Sequence, residues 1–358
     1  MDDPFCLDYN TVHKIEKPPL PYIPGHELSV ARHYPSPPPP KWHGIALKYE
    51  AAREREHADI LTRCLRHPPT EGRFGGETLH LKITDTIRAR DGQCSQLVTV
   101  RVLNHGLKLS GREIVAKLYG PLYFNHYQDD FEPFLCADRE YRRESAAYDR
   151  LSGIANIPEY YGSFSLELSV DQDRSRFVRL VLIQKVSGIP MNELNPSDSI
   201  MFQRQTIMKK IIDTESRLYQ RDVNHFDMHP RNIIVRANES DPNEVGITVI
   251  DFGHAIIGRS YDPEGEPEEE AKMLPGQYIS PIVRWAVPCE SNAMPVSFKC
   301  WINWDWNSWL KKQYKDDEVT DHMRSEWMPE DTTTPWPLDC GEESTCNSRK
   351  AKPIVISG

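Results

Sequence analysis

Between residues 79 and 119 apolar and polar positions alternate in three short runs separated by glycine turns. Leu79, Leu81 and Ile83 alternate with polar residues in the first run, and Leu97, Thr99, Arg101 and Leu103 keep the same step in the second. The third is Glu113-Ile-Val-Ala-Lys-Leu-Tyr119, and Asp91-Gly92 and His105-Gly106 mark the turns. A period of two places alternate side chains on opposite faces, so this stretch predicts a three-stranded meander with Lys117 in its third strand.

The period then changes. Residues 138–151 read as a helix, followed by strand candidates at 161–168 and 177–186. The second of these is continuously apolar through Leu180, Val181, Leu182 and Ile183, as a buried central strand is. Met208, Ile211, Ile212, Glu215, Leu218 and Tyr219 fall at helical spacing, and Pro196-Ser-Asp-Ser199 is the expected cap. Two short strands follow at 233–236 and 246–250 across the turn-rich Asn238–Asn243. Upstream, residues 45–65 contain neither Pro nor Gly and predict one helix, stopped at His67-Pro68-Pro69.

Strands first and helices later predict an α+β fold of two lobes, β-rich and then helical. The boundaries are a Pro-rich disordered tail over 1–42, a helical extension and linker over 43–77, a first lobe over 78–190, a second over 191–328 and a flexible tail over 329–358. Composition changes this picture at the ends. The 29 prolines cluster there, with a run at Pro37–Pro40 that suits an extended tail or a ligand for a proline-binding partner.

A net charge of −10 argues against a general nucleic-acid binder, which needs a basic face. The eight cysteines form no C-x-x-C pair and no zinc spacing, so reduced thiols are expected. Neither a signal-peptide pattern nor a membrane-length apolar run is present, and an intracellular protein, cytoplasmic or nuclear, is the expectation.

The chemistry concentrates in two motifs. His225-Phe-Asp-Met-His-Pro-Arg-Asn232 follows the long helix and precedes a short strand. It places a carboxylate, Asp227, to orient an attacking hydroxyl, and an amide, Asn232, to hold Mg²⁺. After the next strand comes Val-Ile-Asp251-Phe-Gly253, a carboxylate at a strand end beside a glycine that permits a bend. Asp251 is the second candidate Mg²⁺ ligand. Lys117 in its strand can reach the phosphates of ATP.

In order and setting, these residues resemble the protein-kinase-like superfamily over about residues 78–310. The resemblance implies ATP bound between a β-rich lobe and a helical lobe, and an ion pair from Lys117 to a helix glutamate. Glu144 is the first choice and Glu140, one turn earlier, the alternative. It also places a hinge at 184–188, with Gln184 as the nominal adenine-side residue.

The pattern departs from the superfamily in several places. The loop Ala89–Gln96 has one glycine, Gly92, where a glycine-rich phosphate clamp is usual; Ser95 or Gln96 would have to compensate. Phe226 replaces the arginine of phosphorylation-switched kinases, so no such switch is expected. His229 makes the loop similar to aminoglycoside and choline phosphotransferases and is a candidate donor to the γ-phosphate, with Arg231 a second source of charge. No Ala-Pro-Glu motif follows, and Asp262–Glu270 is acidic. Asp305 is a candidate anchor of the catalytic loop, in a reduced helical lobe whose tryptophans at 301–309 read as core. The function expected is Mg-ATP-dependent transfer of phosphate to a hydroxyl, on protein Ser/Thr or a small molecule. The alternative is a pseudokinase acting as a nucleotide-binding or protein-interaction module.

Overall fold

The computed structural model describes residues 17–38, 46, 48–106, 108–126, 131–237, 245–259, 274–287 and 295–327. The acidic stretch at 262–270, the turn at 238–243 and the tail at 329–358 lie outside them. The chain divides into two compact units. The first comprises residues up to 153 with 158–185 and 251–257; the second comprises 154–157, 186–250 and the chain from 258 onward.

The first unit is built on a closed antiparallel barrel of six strands. These are β1 (Glu27–Pro35), β2 (Gly72–Arg88), β3 (Ser95–Val102), β4 (Glu113–Tyr119), β5 (Tyr160–Ser169) and β6 (Ser175–Gln184). The order around the barrel is β1-β2-β3-β4-β6-β5. The predicted meander is present as β2, β3 and β4 within this barrel. Glu27–Pro35, assigned from the sequence to a Pro-rich tail, is instead a strand. Leu28 and Val30 point into the barrel core, and β1 closes it by pairing with both β2 and β5.

Alternation decides which side chains enter the barrel. Val98, Val100, Ile114, Ala116, Leu118, Leu180 and Leu182 fill the interior. Removing one such side chain costs about 2–5 kcal/mol, because the cavity collapses only partly. The intervening residues of β4, Lys117 and Tyr119, therefore lie on the outer face. Helix α3 (Pro133–Arg150) packs there through Ala137 and Tyr141 against Tyr119 and Val181.

The helix expected over 45–65 is two helices, α1 (Tyr49–His57) and α2 (Ile60–Arg66). Asp59 breaks the run and caps α2 by accepting from Thr62 N–H. Buried Arg63 joins both to the start of α3, donating to Glu54 and Glu132. The last strand of this unit along the chain is the short Ile256–Ile257.

In the second unit, β7 (Ile189–Pro190) leads to α4 (Met201–Gln220) and β8 (Val223–Asn224), and the hairpin of β9 (Ile233–Ala237) and β10 (Val245–Val249) follows. Strand β9 is flanked by β10 and β7. Gly188 lies at φ +137°, where an added Cβ would sit 2.5 Å from Val235 O, so only glycine permits this approach. Pro196–Asp198 is a separate 3₁₀ turn capped by Asn195, and does not cap α4. Ile200 precedes α4, and its N–H is bound by the Gln203 side chain. Helices α5 (Pro281–Arg284), α6 (Trp306–Gln313) and α7 (Asp321–Trp327) complete the described residues. Trp301, Trp306 and Trp309 are buried, and Trp306 lies 5.2 Å from Trp309 between ring centroids.

Candidate active site

In the first unit, the outer face of β4 carries a buried charged cluster. Lys117 Nζ donates to Glu144 Oε2 at 2.6 Å and to Asp251 Oδ1 at 2.7 Å. Of the two helix carboxylates weighed from spacing, Glu144 is the one that meets the lysine. Glu140 lies one turn away and packs beside Gly253. Tyr119, two residues after Lys117 on the same face, donates to the same oxygen, Glu144 Oε2. Glu144 Oε1 is buried without a hydrogen-bond partner.

Burial alone would lower the Lys117 pKa, but the Asp251 and Glu144 carboxylates outweigh it and raise it, so the ammonium stays charged. Burial pushes the Glu144 carboxyl up, against the pull of Lys117, and Asp251 adds to the rise. Burial, reinforced by Glu144, also raises the Tyr119 hydroxyl, which is a donor at neutral pH. Asp251 adopts φ +67°, a left-handed conformation uncommon for a residue with a side chain. The next residue, Phe252, is fully buried and meets Tyr148 edge-on at 5.1 Å.

In the second unit, Pro230 starts a 3₁₀ turn that folds the loop 225–232 back on itself. Asn232 Nδ2 donates to Asp227 O and to Asp227 Oδ2, each at 2.9 Å. Two acceptors identify that group as the NH₂ and turn the amide oxygen away from Asp227. Arg231 Nη2 donates to the other carboxylate oxygen, Asp227 Oδ1, at 2.5 Å. Buried His225 lies 3.0 Å from Ile250 O through Nε2, so Nε2 carries the hydrogen and Nδ1 accepts from Asp227 N–H at 3.3 Å. Ile250 N–H in turn donates to Asn232 O. Ile250, which precedes Asp251 in the chain, is thus tied to the loop by both backbone groups. Phe226 sits at φ +58°, strained for a bulky residue, with its N–H on Asn224 Oδ1.

His229 is half-buried. Its Nδ1 accepts from Arg231 N–H at 3.3 Å, and burial, then the Arg231 charge, lower its pKa, so it is neutral at pH 7. It is a neutral donor at most, and Arg231 is the permanent cation of this loop.

Other predicted residues have different partners. Gly92 N–H donates to Tyr123 O, so that amide is engaged within the unit. Gln96 spans its own loop: Oε1 accepts from Arg90 N–H at 2.7 Å and Nε2 donates to Arg90 O at 3.0 Å. Ser95 is buried, opposite Tyr119 in the β3–β4 register, with its hydroxyl near Arg88. Segment 89–96 is therefore a stapled hairpin turn and does not present a row of unengaged amides. Gln184 accepts from Glu159 N–H through its side chain, which extends the pairing of β6. Asp305 does not anchor the catalytic loop; both its oxygens bind Ser308, capping α6.

Sequence reasoning missed Tyr119, Gln96 as a staple, and His225 as the loop's anchor. Only Tyr119 left a signal, being two residues from Lys117 on one strand face.

Mg²⁺ is usually held by one or two carboxylates together with substrate phosphates. The Asp251 carboxylate in the first unit and the Asn232 amide oxygen in the second are each hard oxygens of that kind. Among the described residues no cluster of three or more His, Cys, Asp or Glu side chains is placed to hold a metal, and no helix is long and apolar enough to cross a membrane.

Residues 112–261 match the family model of the ABC1 atypical kinase-like domain, a member of the protein-kinase-like superfamily. The matched stretch is less than half of the 358 residues and contains Lys117, Glu144, Asp227, Asn232 and Asp251. No curated protein matches the chain. Over residues 112–261 the chain is thus similar to a kinase-like domain, and its structure is of mixed α and β type.

Proposed function

We propose that the chain is a Mg-ATP-dependent phosphotransferase acting on a hydroxyl, on protein Ser/Thr or on a small molecule. The observation that carries this reading is the buried Lys117 ammonium held between Glu144 and Asp251. Burying a lysine is costly, and nothing in the packing of β4 on α3 requires one. A group kept charged, with one partner fully buried and the other a third exposed, suits a cation that exchanges the second partner for phosphate.

In this reading Glu144 keeps Lys117 in place while the ammonium moves from Asp251 to phosphate oxygens. The Asp251 carboxylate, thereby released, and the Asn232 amide oxygen would each supply a ligand to Mg²⁺, whose charge would offset that of the triphosphate. Asp227 takes the proton of the acceptor hydroxyl. A bond forms from the acceptor oxygen to the γ-phosphorus, the bond from that phosphorus to the β,γ-bridging oxygen breaks, and ADP leaves. The residues act mainly by positioning and charge neutralisation.

A pseudokinase is the second reading, favoured by the stapled hairpin at 89–96, whose Arg90 and Gly92 amides are already engaged. Asp227→Asn separates the two. For an enzyme, ADP formation from Mg-ATP, with water or the chain's own hydroxyls as acceptor, falls about 10²–10⁴-fold while stabilisation by nucleotide persists. Turnover retained in Asp227→Asn contradicts the assignment, and absence of turnover in the unaltered protein favours the pseudokinase.

A further inference from the structure

The two oxygens of Asp227 have different partners. Oδ2 is held by the buried amide of Asn232, a bond internal to the loop. Oδ1 is held by Arg231, whose side chain is 52 % exposed. The oxygen left for an acceptor hydroxyl is therefore Oδ1, and a guanidinium covers it. A hydroxyl that binds Oδ1 must displace Arg231, and the displaced charge then needs a new partner.

His229 does not cover either Asp227 oxygen; its Nδ1 is occupied by the Arg231 N–H. An exposed ion pair such as Arg231–Asp227 contributes little by itself, so exchanging it is easy if another anion is offered. The planar guanidinium fork matches a carboxylate or phosphate through two parallel hydrogen bonds.

The geometry points to an acceptor that carries a carboxylate or phosphate group close to its hydroxyl, with Arg231 reading the anion and Asp227 the hydroxyl. This rests on the phosphotransfer reading above. A neutral acceptor displaces Arg231 without compensation, whereas an anionic one replaces the lost pair as it binds. Arg231 thus discriminates between acceptors through the same movement that uncovers Asp227.

The test uses the full chain with Mg-ATP and measures ADP release with matched acceptors. One pair is glycerol and glycerol 3-phosphate; the other is a serine peptide with alanine or with glutamate beside the serine. The expected result is a kcat/KM about tenfold or more higher for the anionic member of at least one pair, as a charge-assisted hydrogen bond provides. That ratio falls towards one in Arg231→Gln and is partly kept in Arg231→Lys. Which pair responds distinguishes phosphate from carboxylate. A preference for neutral acceptors, or a preference that survives Arg231→Gln, overturns the inference. So does a rise in the KM for ATP in Arg231→Gln with an unchanged acceptor ratio, which assigns the cation to the nucleotide. Nucleotide stabilisation measured alongside keeps the readings apart: if ATP binds but no acceptor raises turnover, the inference fails alone, and if ATP does not bind, both fail.

Discussion

Tyr119 donates its hydroxyl hydrogen to Glu144 Oε2, the oxygen that also receives the Lys117 ammonium. The other oxygen, Oε1, is buried with no partner, so both bonds fall on one side of the carboxylate. Tyr119 also packs on Tyr141 at 5.7 Å between ring centroids. Tyr119→Phe keeps this packing and removes one donor from a buried charge. ATP affinity is expected to weaken by about tenfold or more, with a drop in Tm, since a hydrogen bond to a charged group contributes about 1.5–3 kcal/mol. Calorimetric titration checks this; an unchanged Kd makes Tyr119 a packing residue only.

His225 fixes the loop from beneath, with one ring nitrogen on Ile250 O and the other near Asp227 N–H. His225→Leu loses both bonds and leaves a buried carbonyl unpaired, at a cost of about 1–3 kcal/mol. Turnover is expected to fall about tenfold or more as Asp227 loses its position. Denaturant unfolding and kcat, measured together, check the pair of effects.

The Gln96 amide closes the 90–96 turn by binding both backbone groups of Arg90. Gln96→Leu fills the same volume without those bonds. Hydrogen exchange at the Arg90 amide is expected to accelerate by about tenfold or more, while the barrel strands stay protected. Unchanged exchange at Arg90 shows that the staple does not hold the turn.

Two buried histidines make the first unit acid-sensitive. His126 lies 2.6 Å from Pro121 O through Nε2, which therefore carries the hydrogen, and its Nδ1 is buried with no acceptor for a second proton. His33 pairs with Tyr141 through Nδ1, and its Nε2 is buried without a partner against Gly72. Burial lowers each from 6.5 to about 4, with nearby cations adding to the effect. The unfolded chain takes up these protons near pH 6.5, the folded chain only near pH 4. Stability is therefore full above about pH 6.5 and falls as pH drops towards 4, by up to about 3 kcal/mol per histidine. Unfolding midpoints at pH 7.5, 6.0 and 5.0 check the slope, and His126→Asn is expected to remove its share.

Legibility in the sequence followed locality. The strands between Leu79 and Tyr119 were readable because each carries its own alternation. Strand Glu27–Pro35 was not, since its alternation is short, prolines surround it, and its partners β2 and β5 lie far along the chain. Helix α3 begins at Pro133, before the predicted residue 138, because proline suits the first helical turn. In the site, Lys117, Asp227, Asn232 and Asp251 stood out by motif. Their partners did not: choosing Glu144 over Glu140 depends on how α3 sits on β4, and Gln96 and His225 bind groups that no spacing rule identifies.

Whether Lys117 and Asp251 serve Mg-ATP is read most directly from the Tm of the full chain with ATP, with and without Mg²⁺, beside Asp251→Asn. Asparagine tolerates the left-handed backbone at that position and keeps the side-chain shape. A ligand at a hundred times its Kd stabilises the native state by about 2.7 kcal/mol, a rise of a few degrees. The expected result is a Mg²⁺-dependent rise in the unaltered protein that Asp251→Asn abolishes. No rise at millimolar ATP, or the same rise in Asp251→Asn, would contradict it.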